Sequence, residues 1–94
     1  MSKEIRVIQN IQLTEMHNEA ILLSIDSGVY YSLDEIGLDI WQLICMSEDS
    51  VNIEKIKTYL LGIYHISESD EENLETDIND FVYSLASKGL VEII

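Results

Sequence analysis

An α+β chain of winged helix-turn-helix type, with a three-stranded antiparallel sheet followed by three helices, is the fold class that the order of the periodicities predicts. Three observations carry this. Short apolar and aromatic runs broken by turn residues fill the first third, up to Asp34. From Asp34 onward apolar residues recur at spacings of three and four, the helical period. Helix-start signals then fall at Asp34, Asn52 and Ser69, dividing the remainder into three helices.

The elements follow in order. Ile5 to Ile8 reads as a fraying first segment, and Ile11 to Met16 as a strand closed by the turn-prone His17-Asn18-Glu19. Ala20 to Asp26 (AILLSID) and Val29 to Asp34 (VYYSLD) form a hairpin, because Gly28 in the connection can take the positive φ that a short turn demands. Alternation assigns Ile21, Leu23 and Ile25 to the core face, together with Val29, Tyr31 and Leu33. Tyr30 then projects from the opposite face beside Leu22, as ordinary exposed apolar area or as a docking spot. Asp34 caps the first helix, whose stripe is Ile36, Ile40, Leu43 and Ile44, with Leu33 and Leu38 as a hydrophobic staple and Trp41 as the anchor. Asn52 caps a second helix with Ile53, Ile56, Leu60 and Ile63 on one side, weakened near its end by Gly62. Ser69-Asp70-Glu71-Glu72 reads as a capping box for the third, which carries Leu74, Ile78, Phe81 and Leu85. Lys88 suits the negative end of that helix and Gly89 the left-handed position beyond it, after which Leu90 to Ile94 forms an apolar tail that can return to the sheet.

The totals exclude several classes of function. At 94 residues the chain builds one core, and that core needs nearly every large apolar residue, leaving little for an enclosed catalytic cavity. A hydrophobic fraction of 47% is that of a folded protein. No apolar run approaches the roughly 18 residues of a membrane helix, and no signal peptide is evident, so a cytoplasmic protein without membrane contact is expected. Eighteen acidic against five basic residues give a net charge of −13, which repels nucleic acid and favours cationic partners. A winged-helix DNA reader would carry lysine and arginine on its recognition helix, where this chain carries acids.

Catalytic chemistry finds no support. His17 and His65 lack metal-site spacing and read as surface or loop residues; the four glycines stand singly; Cys45 sits in an apolar run and reads as a buried thiol. The acids from Glu68 to Asp80 lack the glycine and terminal glutamate of a calcium loop. Glu71 and Glu72 suit the helix dipole, whereas Asp77 and Asp80 lie mid-helix, where a partner's lysine or arginine explains them better. No catalytic residue, metal or cofactor is expected.

Read together, Gly28-Val29-Tyr30-Tyr31-Ser32-Leu33-Asp34-Glu35-Ile36-Gly37-Leu38-Asp39-Ile40-Trp41-Gln42-Leu43-Ile44 resembles the PqqD-like family, whose run is a strand, Leu-Asn/Asp, small and apolar residues and then Ile-Trp. Ile53 to Leu61 and the closing Asp77, Ile78, Phe81, Leu85, Gly89 and Leu90 agree, so the likeness spans about Ile11 to Val91 and makes residues 1–94 one domain. Asp34 stands where many members have asparagine, which keeps the capping role.

The resemblance implies a recognition element for ribosomally made, modified peptides, most like the free-standing leader-binding proteins of lasso-peptide pathways. A precursor's leader would join the sheet beside the strand Val29, Tyr30, Tyr31, Ser32 and Leu33 and lie against the third helix. Ile78, Phe81 and Leu85 would form the apolar wall, and Asp77, Asp80 and Ser84 the polar contacts. Leu33 and Leu85 are equally readable as core. The bound leader would be presented to a leader peptidase and a cyclase, and the free edge strand could support a weak homodimer. Two alternatives stay open: a peptide chaperone for a radical-enzyme pathway, and a structural subunit of a modifying enzyme.

Overall fold

The computed structural model describes residues 4–8, 10–17, 19–47, 50–64, 66 and 68–94, and of residues 68 and 69 the backbone only. In chain order the elements are β1 (Glu4–Val7), β2 (Ile11–Met16), β3 (Glu19–Ser24), β4 (Tyr30–Leu33), α1 (Glu35–Met46), β5 (Val51–Asn52), α2 (Ile53–Ile63), α3 (Glu68–Ser87) and β6 (Val91–Ile93). The α+β class and the three helices match the expectation. The β structure is richer, because two three-stranded antiparallel sheets are present, ordered β2-β3-β4 and β5-β1-β6. The Ile5 segment is thus the central strand of the second sheet, and the apolar tail returns to β1 rather than to the hairpin, with Val7 opposite Val91.

Local signals place the helices. Asp34 accepts from the Gly37 amide at 2.7 Å and Asn52 from the Lys55 amide at 2.8 Å, each satisfying a donor that the first helical turn leaves free. Gly89, at φ 75°, ends α3: its amide donates to the Ala86 carbonyl and that of Leu90 to Leu85, both at 3.0 Å, while the Leu90 side chain is fully buried. α3 begins at Glu68, one residue before the Ser69 read as its start, and the side chain of Ser69 lies outside what the structure describes. His17 sits in the β2–β3 turn at φ 53°, exposed. His65 falls outside the described residues.

Packing corrects several assignments. The inward face of β3 is Ala20, Leu22 and Ser24, not Ile21, Leu23 and Ile25; Leu22 is completely buried and Ile25 is 62% exposed. With apolar residues on both faces β3 offers no alternation to read, and the hairpin decides the matter. Ser24 donates to the Val29 carbonyl at 2.8 Å and the chain turns through Ile25 to Gly28, so Ile25 lies in the loop. This register sets Leu22 opposite Tyr31 and Leu23 opposite Tyr30, so Tyr30 neighbours Leu23 on the outer face. A slip of one residue would expose Leu22, whose burial contributes roughly 1.5–3 kcal/mol. On α1 the buried residues are Gly37, Ile40, Trp41, Leu43 and Ile44, which leaves Ile36 and Cys45 exposed at the margins of the stripe. On α2 they are Ile56 and Leu60, with Ile63 half exposed. The buried side chains of both sheets and all three helices form one cluster, which includes Ile5, Leu22, Trp41, Ile56, Ile78 and Leu85. No helix is long and apolar enough to cross a membrane among the described residues.

Candidate functional site

The site begins with an edge. In the order β2-β3-β4, β4 is paired with β3 on one side only. The Ser24–Val29 bond fixes which backbone groups that pairing uses: hydrogen-bonded pairs alternate along an antiparallel ladder, so Leu22–Tyr31 and Ala20–Leu33 are the bonded pairs that follow. The amides and carbonyls of Tyr30 and Ser32 therefore point away from β3, toward the open side. An extended peptide can satisfy such groups by adding a strand.

α3 supplies the facing wall. The Phe81 ring meets Tyr31 edge to face, with centroids 6.3 Å apart and planes inclined by 68°. Between β4 and α3 opens a cleft of about 600 Å³ lined by Glu19, Tyr31, Ser32, Leu33, Asp34, Glu35 and Phe81. A smaller cavity of about 290 Å³ lies beyond Phe81, among the helices, and Asp34 and Phe81 border both spaces. Gly37 lets them meet: a Cβ built there would stand 3.0 Å from the Asp34 carboxylate and 3.3 Å from the Phe81 ring. A side chain at this position would push both walls. Glu19, Asp34 and Glu35 line the cleft and Asp77 the smaller cavity, and neither space is lined by a lysine or arginine among the described residues. Two of the chain's cations are engaged elsewhere, Arg6 with Glu92 at 2.7 Å and Lys57 with Glu75 at 3.6 Å.

The residues singled out in the sequence distribute unevenly around this site. Tyr31, Ser32, Leu33 and Phe81 line the cleft, and Asp77 and Ile78 line the smaller cavity. Tyr30 is exposed on the outer sheet face and Val29 is half-buried before the strand. Asp80 and Ser84 lie on α3 but line neither space, and Leu85 is completely buried in the core. Sequence reasoning gave Glu19 and Glu35 no part in the site, and it took Asp34 only as a cap and Leu74 only as part of the apolar stripe of α3. Glu19 reads in the sequence only as the end of the turn His17-Asn18-Glu19; it opens β3 and becomes a cleft residue solely through the pairing of β3 with β4.

Two titrating groups lie near but outside the cleft. The Tyr64 hydroxyl donates to the Asp39 carboxylate, tying the end of α2 to α1, and this bond, with partial burial and the negative charges of Asp39, Glu35 and Asp34, pushes its pKa up to about 12. Cys45 opens onto an apolar groove of about 530 Å³ with Val7, Ile11, Leu13, Trp41 and Met46, and partial burial holds its thiol above its ordinary pKa. That correction of the expected buried cysteine leaves a protonated, weakly nucleophilic sulfur at neutral pH. Among the described residues no three His, Cys, Asp or Glu side chains are grouped to hold a metal ion.

Known proteins resemble the chain in sequence and in fold. The family model described as Coenzyme PQQ synthesis protein D (PqqD) matches residues 19–91, from β3 through α3 into β6. No curated protein matches. Among solved structures, TbiB1 in complex with the TbiA(beta) leader peptide gives a TM-score of 0.76 at 26% identity, over 93% of this chain and 94% of that one. Lasso peptide synthetase B1 complexed with the leader peptide gives 0.74 at 22% identity, over 95% and 98%, a likeness of fold.

Proposed function

The chain belongs to the PqqD family, and we propose that it binds the leader segment of a ribosomally synthesised precursor as an added strand beside β4, presenting it to the leader peptidase and cyclase of a lasso-peptide pathway. The observation that carries this reading is the open β4 edge facing α3 across an apolar and acidic cleft. Backbone pairing at Tyr30 and Ser32 supplies affinity that does not depend on the leader's sequence. Tyr31, Leu33 and Phe81 then select apolar side chains at alternate positions of the leader, because side chains of a strand alternate between faces.

The role is that of a non-catalytic carrier acting in the cytoplasm. Ile78 and Leu85 hold α3 at its distance from β4 by burial in the core, and so act on the leader through Phe81. Asp77, Asp80 and Ser84 supply polar contacts along the outer part of α3, with Asp80 and Ser84 engaging leader residues beyond the cleft. Both solved structures named above hold leader peptides, and one is a lasso peptide synthetase B1, which supports the lasso-peptide reading.

The test is the affinity of the purified protein for the fluorescently labelled leader half of the precursor encoded beside its gene, at two salt concentrations. Binding that weakens as salt rises is expected, because the protein carries a charge of −13. A leader that fails to bind, together with co-purification of a large enzyme, would replace this reading with that of a structural subunit.

A further inference from the structure

The smaller cavity adjoins the leader cleft, with Asp34 and Phe81 in the lining of both, and its own lining is divided by chemistry. Ile40, Leu60 and Ile78 form a floor that is nearly inaccessible to solvent, Ile36 and Leu74 form sides that are more open, and Asp34 and Asp77 are exposed carboxylates at the mouth. A volume of about 290 Å³ lies just below the range of pockets that take whole small molecules. It equals the space of about ten water molecules, so one long side chain fits with room for water beside it.

Resting on the leader-binding reading, we propose that this cavity receives one lysine or arginine side chain of the bound leader, its methylenes on Ile36, Leu74 and Phe81 and its charge between Asp34 and Asp77.

The geometry selects this occupant over others. A wholly apolar side chain would cover the mouth and take water from two carboxylates without replacing it, which is costly. An acidic side chain would meet like charge, and a short one would cover less of the apolar lining. Long basic side chains bury a hydrocarbon stem and keep a charged tip at the rim, which is the division of chemistry seen in the lining. The positive end of the α1 dipole lies close by, but the Asp34 carboxylate already answers it through the Gly37 amide, and Glu35 adds a further negative charge there. With no lysine or arginine lining the cavity among the described residues, the partner supplies the cation.

The experiment is a double-mutant cycle on leader affinity. Each lysine and arginine of the leader encoded beside the gene is replaced singly by norleucine, which keeps the stem and removes the charge. Each peptide is measured against the natural protein and against the Asp34→Asn/Asp77→Asn variant, in which asparagine preserves the α1 cap. One position should lose about tenfold in affinity with the natural protein and less than about twofold with the variant. The assignment is overturned if every exchange acts equally on both proteins, if a tyrosine at the sensitive position binds tighter than the basic residue, or if a tightly bound leader has no basic residue. A natural leader that does not bind at all sinks the leader-binding reading and this assignment with it; normal binding with no coupled position sinks the cavity assignment alone.

Discussion

Proline at position 32 separates the edge of β4 as a binding element from β4 as a structural one. The Ser32 amide points away from β3, so Ser32→Pro removes no ladder bond within the sheet, and edge strands accept proline on their outward side. Ser32 is exposed, so little packing is lost, and the stiffer unfolded chain offsets part of any backbone adjustment. A stability change within about 1 kcal/mol is therefore expected. For an incoming leader the consequences are larger. One backbone hydrogen bond worth about 0.5–1.5 kcal/mol disappears, and the pyrrolidine ring occupies the place of the partner strand. Together these predict a loss of leader affinity between about tenfold and a hundredfold. Tyr31→Pro is the contrasting variant: it removes the ladder bond to Leu22 and the half-buried ring against Phe81, costing about 3 kcal/mol or more of stability. Urea melts and fluorescence anisotropy with labelled leader read both quantities. A Ser32→Pro protein that folds as well as the natural one and binds leader with unchanged affinity would refute strand addition at this edge.

Further expectations follow from the walls of the cleft and from its neighbours. Phe81→Ala removes the half-buried ring that borders both cavities; it should cost about 2 kcal/mol of stability by chemical denaturation and weaken leader binding at least about tenfold, whereas Tyr31→Phe should change neither. Gly37→Ala would ordinarily gain about 1 kcal/mol in a helix, but here its methyl meets the Asp34 cap and Phe81, so Tm should fall and leader affinity with it. The Tyr64–Asp39 bond favours the protonated phenol in the folded state. Its stabilisation is complete below the ordinary tyrosine pKa near 10 and is lost as pH rises toward about 12. Denaturation of the natural protein and Tyr64→Phe across pH 9–12 should therefore show the natural protein's advantage shrinking over that window.

What the residues disclosed in advance divides by the range of the interaction. The caps at Asp34 and Asn52 and the stop at Gly89 were legible because each is settled within a turn of its own helix. The faces of β3 were not, because Ile21 and Leu23 are as apolar as Leu22, and only the hairpin's hydrogen bonds decide which side enters the core. The second sheet escaped notice for a different reason. β1 pairs with strands of two and three residues drawn from the middle and the end of the chain, too short to carry a period of their own. Around the cleft, Tyr31 and Phe81 were named through the family resemblance of their segments, whereas the meeting of Glu19, Asp34 and Glu35 is a product of tertiary packing. The reading of Cys45 as buried failed by one step around α1, since Trp41 and Ile44 face inward and the next residue turns out.

Amide hydrogen exchange across β4, followed residue by residue with and without leader, tests strand addition most directly. In the free protein the amides of Tyr31 and Leu33, bonded to β3, should exchange slowly and those of Tyr30 and Ser32 quickly; saturating leader should slow Tyr30 and Ser32 and leave the other two as they were. Leader that binds tightly while Tyr30 and Ser32 continue to exchange at their free rates would contradict the account, because the peptide would then be held by some other surface.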